Sequence, residues 1–184
     1  MTLSINNSLD QFIKNFIAVH RELGSDGLVQ FDAQWPSPCV SEEAKNGDWV
    51  AWEPVLQPDT NSFANVEDAL DIKLNPEFCS YFSRYYSESI SAVAPEGKCE
   101  LLFAWSREDF ERLQQNLIGH LLMKQRLGQP LTLFFAVTDE EDVILSVDNQ
   151  TGEVVVEQVG KLPSKILAAS LSEFIDTLSP HSAQ

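Results

Sequence analysis

The chain has 184 residues, of which 28 are acidic and 12 basic, for a formal net charge of −16. With 43% apolar residues, eleven Phe and four Trp, it is not a disordered chain, and its length suits one domain burying roughly 70% of its unfolded surface. The charge argues against nucleic-acid binding, which needs a basic footprint. It also argues against direct attachment to anionic lipid, and it favours basic partners or, more blandly, solubility.

Leu9, Phe12, Ile13, Phe16, Ile17 and Leu23 recur at helical spacing. Ser8 with Gln11 reads as a capping box, Gly24 as a stop, and Lys14, Asn15, Arg21 and Glu22 fall on the wet side. From Leu28 to Pro58 four prolines break any long element, leaving irregular loop with a short strand at Trp49–Glu53. A short helix is expected at Asn65–Leu70 and another from Pro76 to about Tyr85. S-I-S-A-V and C-E-L-L-F-A-W flank A-P-E-G-K and predict a hairpin. Ser106, with Asp109 three residues on, caps the longest predicted helix, which runs to about Leu127. Residues 131–159 read as an antiparallel meander with turns at T-D-E-E and N-Q-T-G. Ser170 with Glu173 opens a last helix bearing Leu171, Phe174, Ile175 and Leu178. The expected class is α+β, one domain over 1–184 with helices flanking an antiparallel sheet.

The long helix carries Phe110, Leu113, Leu117 and Leu121 as its core stripe, with His120 on the flank. Leu117–Met123 is apolar nearly all round, which predicts cover on more than one side, and Gly119 would let another element approach. His120 reads as a packed, hydrogen-bonded residue. A catalytic role needs a nucleophile or carboxylate beside it, and the sequence places none. No metal-ligand spacing, G-x-S-x-G, Walker loop or G-x-G-x-x-G is present, so no cofactor, metal or enzymatic activity is expected. The D-E-E-D run at 139–142 lacks the alternation and glycine of a calcium loop.

Cys39, Cys79 and Cys99 are odd in number and lack C-x-x-C spacing, which suits a reducing compartment. M-T-L-S-I-N-N-S does not resemble a signal peptide, and no run approaches the ~20 apolar residues of a membrane span. The expectation is a cytosolic chain that reaches a membrane only through a partner.

Acidity is concentrated at the two ends: residues 1–75 hold 12 acids and 4 bases, 76–138 hold 7 and 6, and 139–184 hold 9 and 2. Between Asp32 and Asp71 lie Asp32, Glu42, Glu43, Asp48, Glu53, Asp59, Glu67, Asp68 and Asp71 against Lys45 alone, together with three tryptophans. Such a loop is either a recognition surface or solvated acid on a segment whose tryptophans plug the core.

Trp35–Cys39 (W-P-S-P-C), Trp52–Pro54 (W-E-P), Trp105–Leu121 and Lys124–Ala136 resemble the Syd family of SecY-interacting proteins, over nearly the whole chain and in the expected order. The family's E-N-L-I-G-H-L-type segment stands here as Gln115–Leu121, with Gln in place of Glu. V-D-N-Q-T-G-E-V followed by S-L-S-E-F-I-D-T-L is similar to the wider SUKH superfamily. The resemblance implies a non-enzymatic regulator on the cytoplasmic side of the inner membrane that engages uncomplexed or faulty SecY, the translocase channel subunit. The candidate contacts for its basic cytosolic loops are Asp32, Glu42, Glu43, Asp48, Trp52, Glu53, Glu67, Asp68 and Asp71, Trp52 acting as an aromatic contact or as structural support. A SUKH-type immunity protein that neutralises a basic toxin or nuclease is the alternative, and an enzyme using His120 a third reading. Oligomeric state is not legible in the sequence.

Overall fold

The computed structural model describes residues 4–181. Helix α1 (Ser4–Glu22) buries Ile5, Ser8, Leu9, Phe12 and Ile13. It begins one turn earlier than expected, because Ile5 extends the apolar stripe N-terminally from Leu9. Ser8 is therefore inside the helix and buried, and the predicted capping box does not form. Gly24 turns left-handed (φ 57°) and stops the helix as expected.

The loop region holds only short pairings. Strands β1 (Val29–Gln30) and β2 (Trp49–Val50) form one antiparallel ribbon. β3 (Val55–Leu56) forms another with β4 (Tyr85–Tyr86), across α2 (Ala64–Leu70) and α3 (Pro76–Arg84). The expected strand at Trp49–Glu53 is thus confined to Trp49–Val50. Asn75 caps α3, its Oδ1 accepting from Phe78 N at 3.1 Å, and Pro76 occupies the first turn.

The predicted hairpin is β5 (Ile90–Ala94) with β6 (Gly97–Leu101), followed by α4 (Arg107–Arg126). The meander is β7 (Thr132–Val137), β8 (Val143–Asp148) and β9 (Val154–Gln158). Two strands escape the sequence reading: β10 (Lys165–Ala168) beside β9, and β11 (Ser179–Pro180) beside β5, with α5 (Leu171–Asp176) between them. All seven strands join in one antiparallel sheet of order β10-β9-β8-β7-β6-β5-β11, and the fold is α+β.

Strand alternation divides the core. On β7, Phe135 meets Tyr81 of α3 and Phe174 of α5, at ring separations of 5.8 and 5.7 Å. Thr132 and Phe134 meet His120 of α4. Ser106 caps α4 by accepting from Asp109 N at 3.2 Å, and Asp109 Oδ2 accepts from Trp105 N at 2.8 Å. The α4 stripe buries Phe110, Leu117 and Leu121, but it also buries Gln114 and Lys124. The close approach expected at Gly119 does not occur, since a Cβ there would meet nothing within 4 Å, and Leu122 is 39% exposed.

Candidate partner-binding surface

The acidic loop is built around buried aromatic residues. Trp52 is buried against Phe16, His20 and Trp105, at ring separations of 5.8, 4.7 and 5.8 Å. Its carbonyl lies 3.0 Å from His20 Nε2. The indole is thus packed into the base of the loop. Gly27 lets the His20 ring approach, since a Cβ there would lie 3.0 Å from His20 Cε1.

The loop acids divide by what they bind. Asp32 Oδ1 accepts from Gln34 N (2.9 Å), Glu42 Oε1 from Ala51 N (3.1 Å) and Asp48 Oδ2 from Lys45 N (2.9 Å). These three carboxylates hold the turns of the loop while staying exposed. Glu53 is paired with Arg21, whose guanidinium holds the carboxyl below its ordinary range. Glu67 Oε2 accepts from Leu74 N at 2.9 Å. Glu43, Asp68 and Asp71 project into solvent, and Asp71 ends α2 in the left-handed conformation.

The nine candidates do not line one depression. Glu67, Asp68 and Asp71 share a shallow cavity with Ile72 and Lys73. Asp32 instead faces a notch of about 220 Å³ walled by Trp35, Glu88, Trp105 and Asp109. The fold assembles this notch across a long stretch of chain: Ser37 Oγ donates to Trp105 O at 2.6 Å and accepts from Cys39 N at 3.0 Å. Pro36 and Pro38 fix the backbone on either side.

Three carboxylates therefore surround two indoles. Burial, reinforced by the charges of Asp109 and Glu100, raises the Glu88 carboxyl above its ordinary value. Among the described residues no Lys or Arg is ion-paired with Asp32, Glu88 or Asp109. A carboxylate in this state opposes folding as pH rises from its unfolded to its folded pKa, and it stays unfavourable above that window. Glu88→Gln is accordingly expected to raise the urea midpoint at pH 7, with a gain that disappears below pH 4. Equal midpoints at both pH values would contradict that account.

Glu88, Asp109, Trp35 and Trp105 were absent from the sequence-derived contacts. Charge density pointed only to 32–71, whereas Glu88 stands on the β4–β5 connection and Asp109 in the first turn of α4. The available signal was motif membership, since W-P-S-P-C supplies Trp35 and W-S-R-E-D supplies both Trp105 and Asp109.

His120 has the neighbouring carboxylate that the sequence did not place. Its Nε2 lies 3.2 Å from Thr132 Oγ1 and 3.7 Å from Glu157 Oε1. Thr132 Oγ1 gives its proton to Glu157 Oε1 at 2.9 Å, so His120 Nε2 must be the donor towards Thr132. Burial, then the Lys124 charge, lowers the His120 pKa to about 4. Thr132, Lys124 and Glu157 are fully buried, and the His120 side chain packs against them with 8% of its surface exposed. It is packing, as expected for His120.

No helix among the described residues is long and apolar enough to cross a membrane. A family model described as Syd protein (SUKH-2) matches residues 6–180. A protein from Alteromonas mediterranea described as Protein Syd is 56% identical over 183 residues, covering 100% of both chains. A Protein Syd from Pseudoalteromonas atlantica is 46% identical over 98% of each chain. One from Shewanella denitrificans is 38% identical over 97% of this chain and 83% of its own.

Proposed function

The chain belongs to the Syd protein (SUKH-2) family, and from that premise we propose that it is a non-enzymatic regulator that binds basic cytosolic loops of SecY through an acidic surface and restrains translocation by uncomplexed or faulty channels. One observation carries the reading: among the described residues, a notch with three carboxylates and two indoles is lined by no Lys or Arg and pairs its acids with none. A Lys or Arg side chain from a partner loop supplies what is missing. It neutralises Glu88 and Asp109, and it packs on the faces of Trp35 and Trp105.

Cytoplasmic loops of membrane proteins are enriched in Lys and Arg. The net charge of −16 steers such loops towards this surface and keeps bare anionic lipid away. The protein is then cytoplasmic and peripheral on the inner membrane, held there by SecY rather than by lipid. The exposed acids Glu43, Asp68 and Asp71 contribute to steering, while Asp32 contributes to both steering and seating.

Co-sedimentation tests this reading. The protein is expected to pellet with vesicles containing the SecY complex and not with SecY-free vesicles of the same lipid. Raising salt from 50 to 200 mM is expected to weaken binding about tenfold or more, because the attraction is between exposed charges. Equal pelleting with both vesicle types, or with neither, would overturn the proposal.

A further inference from the structure

The β5–β6 turn and the edge strand β10 face each other across another cavity, of about 440 Å³, which shares no lining residue with the acidic notch. The β5–β6 turn contributes Glu96, Gly97 and Lys98 to one lip, and β10 contributes Lys165 and Leu167 to the other. Leu145, Val156, Phe174 and the Cys99 thiol lie between them. This is an apolar floor under a charged rim, a form that suits an apolar side chain.

The β10 lip is the more weakly held. β10 is four residues long, pairs only with β9, and shifts register between Ile166 and Ala168. Leu162 and Ile166 are 60% and 57% exposed. The turn that leads into β10 is fastened from behind the sheet. Lys124 Nζ donates to Lys161 O at 3.2 Å, and Gln129 Nε2 donates to Gly160 O at 3.2 Å. Lys124 also donates to Gln129 Oε1 (3.2 Å) and Glu157 Oε2 (3.3 Å), which uses all three of its protons. The neighbouring residues Val156 and Glu157 point to opposite faces, Val156 into the cavity and Glu157 to the clasp.

We infer that residues 159–168 form a movable lip of this cavity, and that Lys124, Glu157 and Gln129 are the clasp that holds it closed. Short, exposed edge elements open locally at lower free energy than the sheet that carries them. Opening breaks the Val159 N–Asp142 O (2.9 Å) and Ser164 N–Val156 O (2.8 Å) bonds and the short β9–β10 ladder, and the two bonds from Lys124 and Gln129 add to that cost.

Two variants test the inference without depending on one that fails to fold. Gln129→Ala removes the outer bond, and Lys124→Met with Glu157→Leu replaces the buried pair by apolar bulk. Amide exchange and iodoacetamide labelling of the three thiols are read peptide by peptide on the full chain. Both variants are expected to speed exchange across 160–168 about tenfold. Labelling of Cys99, which lines the cavity, is expected to rise with it, while Cys39 and the β5 amides keep wild-type rates. Unchanged exchange and labelling in both variants would overturn the lip. So would an equal rise at Cys39 and Cys99 in both, since that reports global unfolding.

Discussion

Replacing Lys124 by Ala is expected to destabilise the protein by about 3–5 kcal/mol, and replacing both partners, Lys124→Met with Glu157→Leu, by much less than either single change. Both side chains are fully buried. Without Lys124, Glu157 keeps only the Thr132 hydroxyl (2.9 Å) and His120 at 3.7 Å, and Lys161 O loses a donor. A buried carboxylate without a cation is the costly state, whereas an apolar pair of similar volume removes both charges together. Urea unfolding of the two singles and the double gives the coupling directly. Singles that cost under ~1 kcal/mol would mean that water reaches the pair and the burial assigned to it is wrong.

Acid stability supplies the second large effect. The ordinary histidine pKa of 6.5 falls to about 4 at His120 in the folded protein. Above pH 6.5 the ring is neutral in both states and contributes no pH dependence. As pH falls from 6.5 to 4 the unfolded chain takes up a proton that the folded chain refuses, so stability declines, by roughly 3 kcal/mol in full. His120→Gln keeps an amide donor for Thr132 and removes this titration. Its loss of stability between pH 7 and pH 4.5 is expected to be roughly 2 to 3 kcal/mol smaller than that of the wild type. Equal losses in the two proteins would place the acid sensitivity elsewhere.

Much of the fold was legible because local chemistry and tertiary packing agree. Ser106 and Ser170 cap their helices as their sequence context predicts, and the 131–159 meander follows its turns. The failures share a physical cause, which is dependence on contacts distant in sequence. β10 and β11 have too few residues to show alternation and exist because β9 and β5 offer them partners. Ser8 reads as a cap until Ile5 is seen to be buried. Glu157 is buried within its strand because Lys124 of α4 and Thr132 of β7, both distant in sequence, supply its partners.

The candidate surface divides along the same line. Composition showed where acid is dense, and Asp32 does face the notch. Composition did not show that Glu88 and Asp109 close that notch from other elements, because the fold alone brings Trp35 beside Trp105. The burial of Trp52 also follows from packing: its indole lies among Phe16, His20 and Trp105.

The most direct test of the central claim is the affinity for SecY complex of the wild type and of Asp32→Asn with Glu88→Gln, each measured at 50 and 200 mM salt. Neither substitution removes a helix cap, and Glu88→Gln relieves a carboxyl that burial and neighbouring charge already oppose. If the notch seats a cationic side chain, the double variant binds about 100-fold more weakly at low salt, with a shallower salt dependence, while its urea midpoint does not fall. Affinity and salt dependence equal to those of the wild type would show that SecY is held by another surface.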